Sequence, residues 1–498
     1  MMWTTGKKKD SRGDINGRAR QGFLCNCSTN LKLLLTALLV ICILVNLLQY
    51  LHPRILNFYP DYLHYCISHA SSSPPPPPPS MLPAEIVVEP GIIRRAFRTY
   101  GWAAYNYIII GAYRGGPSTF AVVGLSSKTL HLHSNASYIC QWLPSNSTSS
   151  STPIFSQDQA KIFPDWKLGL IYSVVVVNCT FSHPVNADNS GGKLLLHAFT
   201  SGGGDLNLNL TDTIEALEEL PGGVDFSVFT SEPKYEYFYC GSPLFGNLSP
   251  QRVREWIAYH VRLFGTKSHF VLYDAGGVHP EVLEVLRPWM ELGYFTIHNI
   301  RGEERFAGHY HNQFLVLNDC LHRYKFATQW MFFFDVDEFI YVPPNSTLKS
   351  VLHSLLRYTQ FTMEQLPMSD QICSSNDLNA TYRKWGFEKL VYRDVKRQLR
   401  RTRDRKYAVQ PRGVRANGIH LSEHVNGKST DLEDQLKYFH YHGTVAERQE
   451  PCRILTNSTE LTVKSNLYVL DDRMVKAGDA VKRFERKTIG DRLLKTQQ

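Results

Sequence analysis

In the stretch Phe332-Phe333-Phe334-Asp335-Val336-Asp337-Glu338-Phe339-Ile340, an aromatic run with the length of a buried strand ends abruptly in a cluster of acids. In open α/β sheets ligands bind just outside the carboxyl ends of such strands. Carboxylates at i and i+2 on a chain leaving the sheet can present oxygens to one hard divalent cation, and such a cation bridges a diphosphate. The bland alternative is an acidic strand-to-loop junction at the surface, and the flanking sequence weighs against it.

Upstream of the acids the pattern alternates. Tyr235 to Cys240, His269 to Tyr273, Phe295 to Ile300 and Trp330 to Phe334 read as strands. Between them, Pro250 to Phe264, Pro280 to Glu291 and His311 to Tyr324 read as helices, the first started by Ser249 and the second carrying Pro in its first turn. This succession of βα units predicts a largely parallel, doubly wound sheet with right-handed crossovers. Its carboxyl-end loops carry Cys240-Gly241-Ser242-Pro243, Asp274-Ala275-Gly276-Gly277, Arg301-Gly302 and Asp335-Val336-Asp337 along one edge.

Further upstream, from about Glu85 to Thr230, short β-type runs separated by Gly-Gly and Asn/Ser clusters replace any helical period, which predicts a β-sandwich. Tyr100, Trp102, Tyr105, Trp142 and Trp166 are candidates either for stacking on sugar rings or for its core. Cys140 and Cys179 are the pair expected to staple it.

The N-terminal part reads as a membrane anchor. An apolar run from Leu33 to Leu48, taken with Leu31 and Leu51 as an anchor over residues 31–51, approaches the ~20 residues needed to cross a bilayer. Lys7, Lys8, Lys9, Arg12, Arg18, Arg20 and Lys32 precede it, which predicts a cytosolic tail over residues 1–30 and a lumenal remainder, a type II topology. A cleaved signal peptide is the rival reading, disfavoured by the length of the basic region and of the apolar run. Six prolines from Pro74 to Pro79 mark residues 52–84 as an extended stem. Beyond the anchor lie Asn-x-Ser/Thr sequons at Asn135, Asn146, Asn178, Asn209, Asn247, Asn345, Asn379 and Asn457, as a secretory glycoprotein would have. Cys66, Cys140, Cys179, Cys240, Cys320, Cys373 and Cys452 also lie past it, where disulfides are permitted, and no Cys-x-x-Cys spacing suggests zinc. The formal net charge of +9 owes much to the run Arg393 to Lys406. In the lumen this excludes nucleic acid as a partner and leaves an anionic acceptor, neighbouring phosphates or a solvated loop.

The segments Tyr310-His311-Asn312-Gln313, Leu317-Asn318-Asp319-Cys320, Asp335-Val336-Asp337-Glu338-Phe339, Arg383-Lys384-Trp385-Gly386-Phe387-Glu388-Lys389 and Tyr438-Phe439-His440-Tyr441-His442-Gly443 resemble glycosyltransferase family 92, and most closely its plant members that build pectic galactan. The resemblance implies an α/β GT-A catalytic domain over residues 231–498 behind a carbohydrate-binding-module-like β-sandwich over residues 85–230. It also implies a single-pass type II location in the Golgi membrane, manganese as metal and UDP-galactose as donor. The product would be a β-1,4-linked galactose, formed with inversion at the end of a galactan side chain of pectin. A homodimer is a candidate assembly.

Roles follow from the chemistry. Asp335 and Asp337 would hold the metal, and the resemblance to GT-A enzymes implies a late histidine as third ligand; His440 and His442 share a face of a predicted strand, and His442 is favoured because Gly443 lets the backbone come close. Asp274 is a candidate for the ribose or uracil, with a turn-forming Asp as the alternative. Arg301 and Lys406 are candidates for phosphate oxygens, and Asn312 and Gln313 complete the donor-side set. Inversion needs only a base for the acceptor hydroxyl, for which Glu364 and Asp370 are the candidates. Glu338 is expected to be structural, and His420 and His424 to line an acceptor groove. Two rival classes remain at this level: a metal-free glycoside hydrolase with two facing carboxylates, and a sugar-binding structural glycoprotein.

Overall fold

The computed structural model describes residues 86–89, 92–94, 105–127, 135–145, 153–163, 172–201, 210–306, 309–375, 384–395, 404–445 and 452–493. The expected anchor and stem, Cys66, Tyr100, Trp102, Trp166 and most of the basic run after Asp394 lie outside them. Among the described residues no helix is long and apolar enough to cross a membrane.

Two sheets pack face to face in the N-terminal region. One has six strands, in the spatial order Ile86–Glu89, Ile92–Arg94, Tyr105–Gly116, Thr119–Ser127, Tyr172–Thr180 and Gln157–Ile162. The other has four, in the order Leu210–Glu219, Gly192–Ser201, Asn135–Pro144 and Ile154–Phe155. Alternation sends Tyr138, Cys140, Trp142, Leu194 and Leu196 from one sheet against Phe120, Val122, Val175, Val177 and Cys179 from the other. The expected disulfide, Cys140–Cys179, joins the two sheets through this core. Trp142, a candidate for sugar stacking, is 1% exposed and lies parallel to Phe120, so it is a core residue.

The strand Tyr172–Thr180 reads as a near-continuous apolar run because both of its faces are covered. Val174 and Val176, with Ile108, Val123 and Leu125, turn away from the sandwich core. They pack on Phe306, Phe314, Leu315 and Ala416 of the second region.

That second region is built on β1 (Tyr235–Leu244), α1 (Pro250–Phe264), β2 (Ser268–Asp274), α2 (Pro280–Glu291), β3 (Phe295–Asn299), α3 (His309–Arg323) and β4 (Thr328–Phe333). There follow β5 (Glu338–Tyr341), α4 (Leu348–Ser354), β6 (Gln360–Pro367), β7 (Lys406–Val409), β8 (Ser429–His440) and α5 (Val475–Ile489). Ser249 caps α1, its hydroxyl accepting from the Arg252 amide, and Pro250 occupies the position where a missing N–H costs nothing.

One eight-stranded sheet runs β3-β2-β1-β4-β7-β6-β8-β5. The first four strands are parallel, and the order reverses between β1 and β4, where the crossover rule places a ligand crevice. The sheet is largely parallel, as expected, but mixed: β7 pairs antiparallel with both β4 and β6, β6 pairs parallel with β8, and β5 pairs antiparallel with β8, so β7 and β5 run against the other six strands. Helices α1 and α2 cover one face with Trp256, Val261, Val285 and Trp289. α3 covers the other with Val316, Leu317, Cys320 and Leu321, tied to β1 by the disulfide Cys240–Cys320. α3 is therefore shared: sheet on one side, β-sandwich on the other. The Asp319 carboxylate closes that contact, accepting from the Tyr113 hydroxyl of the sandwich, from the Tyr273 hydroxyl of β2 at 2.7 Å and from Arg323 on both oxygens.

Candidate active site

β4 delivers Phe333 and Phe334 into the core, and the chain then turns tightly before β5. The Glu338 amide donates to the Asp335 carbonyl at 3.1 Å, and the Asp335 amide to Glu338 Oε2 at 2.7 Å. Glu338 is fully buried by this turn, in keeping with the structural role expected for it. Burial pushes its carboxyl up to about 7, with Asp335 and Asp337 adding to the shift against Lys406 and His440.

The register of β5 with β8 sets Glu338 opposite His440, so the acids and the histidines meet through strand pairing. Ligand atoms of Asp337, His440 and His442 lie within 4.8 Å of one another. His440 Nε2 is 3.5 Å from Asp337 Oδ2 and 2.9 Å from His442 Nδ1. Gly443, at φ 73°, adopts the left-handed backbone that glycine allows and brings its amide 3.3 Å from Asp337 Oδ2. One carboxylate and two imidazoles form a donor set that suits a divalent transition-metal ion.

Asp335 is engaged differently. Its carboxylate accepts from Ser242 of β1, from Gln313 Nε2 at 3.3 Å and from Lys406 Nζ at 2.8 Å. Burial pushes this carboxyl up, yet Lys406 and Ser242 pull it below the usual carboxylate range. Lys406 is 5% exposed at its side chain and also lies 3.6 Å from Glu338. Burial disfavours its charge, but the two carboxylates hold its pKa above the ordinary lysine value.

At the neighbouring strand ends, Asp274 Oδ1 accepts from the amides of Gly276 and Val278, and Oδ2 from Arg301 Nε at 2.9 Å. Asp274 thus shapes its own turn and anchors Arg301. Asn312 is buried with its amide on the Glu303 carbonyl and Glu304. Tyr310, His311 and Asn312 all have left-handed backbone, at φ 48°, 55° and 63°, which costs about 1–2 kcal/mol for each non-glycine residue.

The remaining candidates sit further out. Glu364 pairs with Lys437 at 2.9 Å, three residues before His440 on the facing strand. Asp370 lies just past the end of β6, where the Met368 amide donates to the His440 carbonyl, and pairs with Arg453 at 3.2 Å. His420 hydrogen-bonds the Arg405 carbonyl, and burial first and Lys406 second lower its pKa. His424 faces Ala416 in a small hairpin beside Glu423, which is ion-paired to Lys161 of the sandwich. The structure therefore gathers Asp335, Asp337, His440, His442, Lys406 and Gln313 into one cluster and leaves Glu364 and His424 outside it. Ser242, Phe245 and Tyr310 belong to the site without having been singled out. The loop after β1 and the Tyr310–Gln313 segment signalled where to look.

The family model for Glycosyltransferase family 92 matches residues 235–477, from the first residue of β1 into α5. Galactan beta-1,4-galactosyltransferase GALS3 of Arabidopsis thaliana is 53% identical over 96% of this chain and 96% of its own. The chain belongs to glycosyltransferase family 92. It is accordingly a glycosyltransferase, and the hydrolase and structural readings fall away. GALS2 of the same plant is 58% identical over 81% of this chain and 78% of its own, and GALS1 is 47% identical over 80% and 79%. Among solved structures, the apo WbbM bifunctional glycosyltransferase overlaps 32% of this chain and 28% of that one at a TM-score of 0.19 and 8% identity, too slight a likeness to bear on the fold.

Proposed function

We propose that the protein transfers galactose from UDP-galactose to the non-reducing end of β-1,4-galactan side chains of pectin, with inversion and with a divalent cation. It would do so as a single-pass type II protein of the Golgi membrane. The observation that carries the sugar and the acceptor is the 53% identity, across nearly the whole chain, to a protein named for that transfer.

The site's chemistry supports the reading. Asp337, His440 and His442 would hold the cation, which when bound supplies positive charge to a leaving diphosphate. Asp335 is kept ionised and fixed by Lys406, Ser242 and Gln313 at the crevice between β1 and β4. Asp274 orients Arg301 at the adjoining strand end, where a nucleoside or phosphate would meet it. Inversion requires an acceptor hydroxyl to form its bond to the anomeric carbon as the bond to UDP breaks, the proton passing to a carboxylate. Glu364, paired with Lys437, and Asp370, just past the end of β6 and paired with Arg453, are the candidate bases.

The β-sandwich offers a place for the polymer. The outer face of its four-stranded sheet exposes Ile139 and Phe155, with His197 bridging Gln141 and Thr213 beside Phe155. An exposed ring flanked by fixed polar groups is what a sugar chain stacks and hydrogen-bonds on.

Incubation of the purified protein with UDP-galactose and short β-1,4-galactan, with Mn2+ or with a chelator, tests the reading. Extension by β-1,4-galactose in the presence of the metal is expected. Metal-independent transfer, or preference for another sugar nucleotide, would overturn the corresponding part.

A further inference from the structure

The two ring nitrogens of His440 face opposite surroundings. Nε2 looks toward the other prospective ligands, 3.5 Å from Asp337 Oδ2 and 2.9 Å from His442 Nδ1. Nδ1 looks back into the sheet, where two groups meet it: the Gln365 side-chain amide, in direct contact, and Glu338 Oε1 at 3.6 Å, too far for a hydrogen bond. Strand pairing arranges this. β6 runs parallel to β8 with Gln365 opposite Tyr438 and Pro367 opposite His440, so Gln365 reaches His440 diagonally, while Glu338 stands opposite it on β5. Gln365 is 2% exposed and His440 8%, so bulk solvent has little access to the contact.

An imidazole holds a cation at a nitrogen that carries a lone pair, and in the neutral ring the proton then sits on the other nitrogen. A glutamine amide offers an acceptor, Oε1, and a donor, Nε2, which exchange places by a half-turn. With Nε2 against Nδ1, the imidazole proton is driven to its own Nε2, where it blocks a cation, and the buried Gln365 Oε1 is left with no hydrogen-bond partner among the described residues. With Oε1 against Nδ1, that oxygen gains the Nδ1–H donor and the imidazole Nε2 lone pair faces Asp337 and His442.

We infer that Gln365 is a positioning residue for the metal site: its Oε1 holds the proton on His440 Nδ1 and so turns the Nε2 lone pair toward the cation. Metal-ligating histidines ordinarily give this proton to a carboxylate, a backbone carbonyl or water. Glu338, the carboxylate facing Nδ1, is committed elsewhere, its Oε2 accepting from the Asp335 amide and lying 3.6 Å from Lys406. A neutral amide on β6 takes the part.

The inference rests on Asp337, His440 and His442 holding a cation, and the experiment separates the two. Mn2+ alone is titrated calorimetrically into the full-length protein and its Gln365→Leu and Gln365→Glu variants. Gln365→Leu, which has no acceptor, should weaken Mn2+ binding on the order of tenfold or more, whereas Gln365→Glu, which keeps an acceptor, should bind at least as tightly as the parent. Unchanged affinity in Gln365→Leu overturns the inference, as does equal weakening in both variants, which would mean that the amide packs His440 without fixing its proton. The metal-free parent gives a second reading that no variant's folding can spoil. In long-range proton–nitrogen correlation spectra of protein carrying isotope-labelled histidine, taken at alkaline pH with the His440 signals identified by their loss in His440→Gln, the proton should sit on Nδ1. A proton on Nε2 overturns the inference. A parent that binds no Mn2+ would defeat the metal site instead, and the tautomer of His440 would still decide what Gln365 does.

Discussion

Lys406 Nζ sits 2.8 Å from Asp335 Oδ2 and 3.6 Å from Glu338 Oε2, one cation set against two carboxylates at the end of β4. The pairing of Phe333 with Tyr407 across β4 and β7 puts it there. Breaking a buried pair from one side leaves an uncompensated charge, so Lys406→Met is expected to lower unfolding stability by about 3 kcal/mol. Asp335→Asn in the same chain should recover part of that loss, because the two changes share one interaction. Denaturant unfolding of the single and double variants reads both numbers, and strictly additive losses would refute the coupling.

Asp337→Ala and His442→Ala should weaken Mn2+ binding, followed by titration calorimetry, by roughly tenfold or more. His442 is exposed, so its variant should melt like the parent; His440 is buried against Glu338 and Gln365, so His440→Ala should lose stability as well. Equal metal affinity in the parent and the His442 variant would remove that residue from the site.

A truncation beginning near Lys234 should not behave as a soluble, cooperatively melting domain. It would bare Phe306, Phe314 and Leu315, each worth about 1.5–3 kcal/mol when fully buried, and strip Asp319 of the Tyr113 hydroxyl. A monomeric truncation with a sharp melting transition would show that the sandwich is dispensable for folding.

Polymer holding is better tested by a point change. Phe155→Ala should reduce extension of long galactan several-fold relative to short acceptors, because a second contact on the same chain raises local acceptor concentration only for a chain long enough to reach it. Equal rates on both acceptor lengths would dismiss this face.

Acid should destabilise the fold through two buried histidines. His260 and His322 titrate near 6.5 when unfolded, and burial depresses both to about 3 in the native protein. Between those values the unfolded chain binds more protons, so stability is full above about pH 6.5 and falls as pH drops toward 3, by up to about 1.4 kcal/mol per unit for each ring. Urea midpoints measured between pH 7 and 4.5 check the slope, and His322→Gln should flatten it.

The first half of the catalytic sheet was legible because local signals coincide there with tertiary ones. Ser249 and Pro250 start α1, Pro280 starts α2, and Trp330 to Phe334 is apolar without interruption. The second half was not. β5 to β8 are joined by pairings between distant segments, such as Gln360 with Ser429 and Met331 with Val409, which no local pattern announces. Lys406 shows the same limit: in sequence it is the last of a basic run, and only its pairing beside Tyr407 makes it the counter-ion of Asp335. His440 and His442 do come together, but β8 ends at His440, so His442 reaches the cluster from the turn that follows and not by the strand's alternation its spacing suggested. The left-handed turn at Tyr310 had no glycine to betray it.

The disulfide between Cys240 and Cys320 ties β1 to α3 two residues before Ser242 and two helical turns after Gln313, the pair that flanks Asp335. Protein made where thiols stay reduced would keep the sheet but lose the covalent stitch that fixes the spacing of that pair. How the protein is produced thereby becomes part of its enzymology: preparations matured under oxidising conditions and those made in a reducing cytosol should not be assumed to have the same turnover, and a free-thiol assay belongs beside every measured rate.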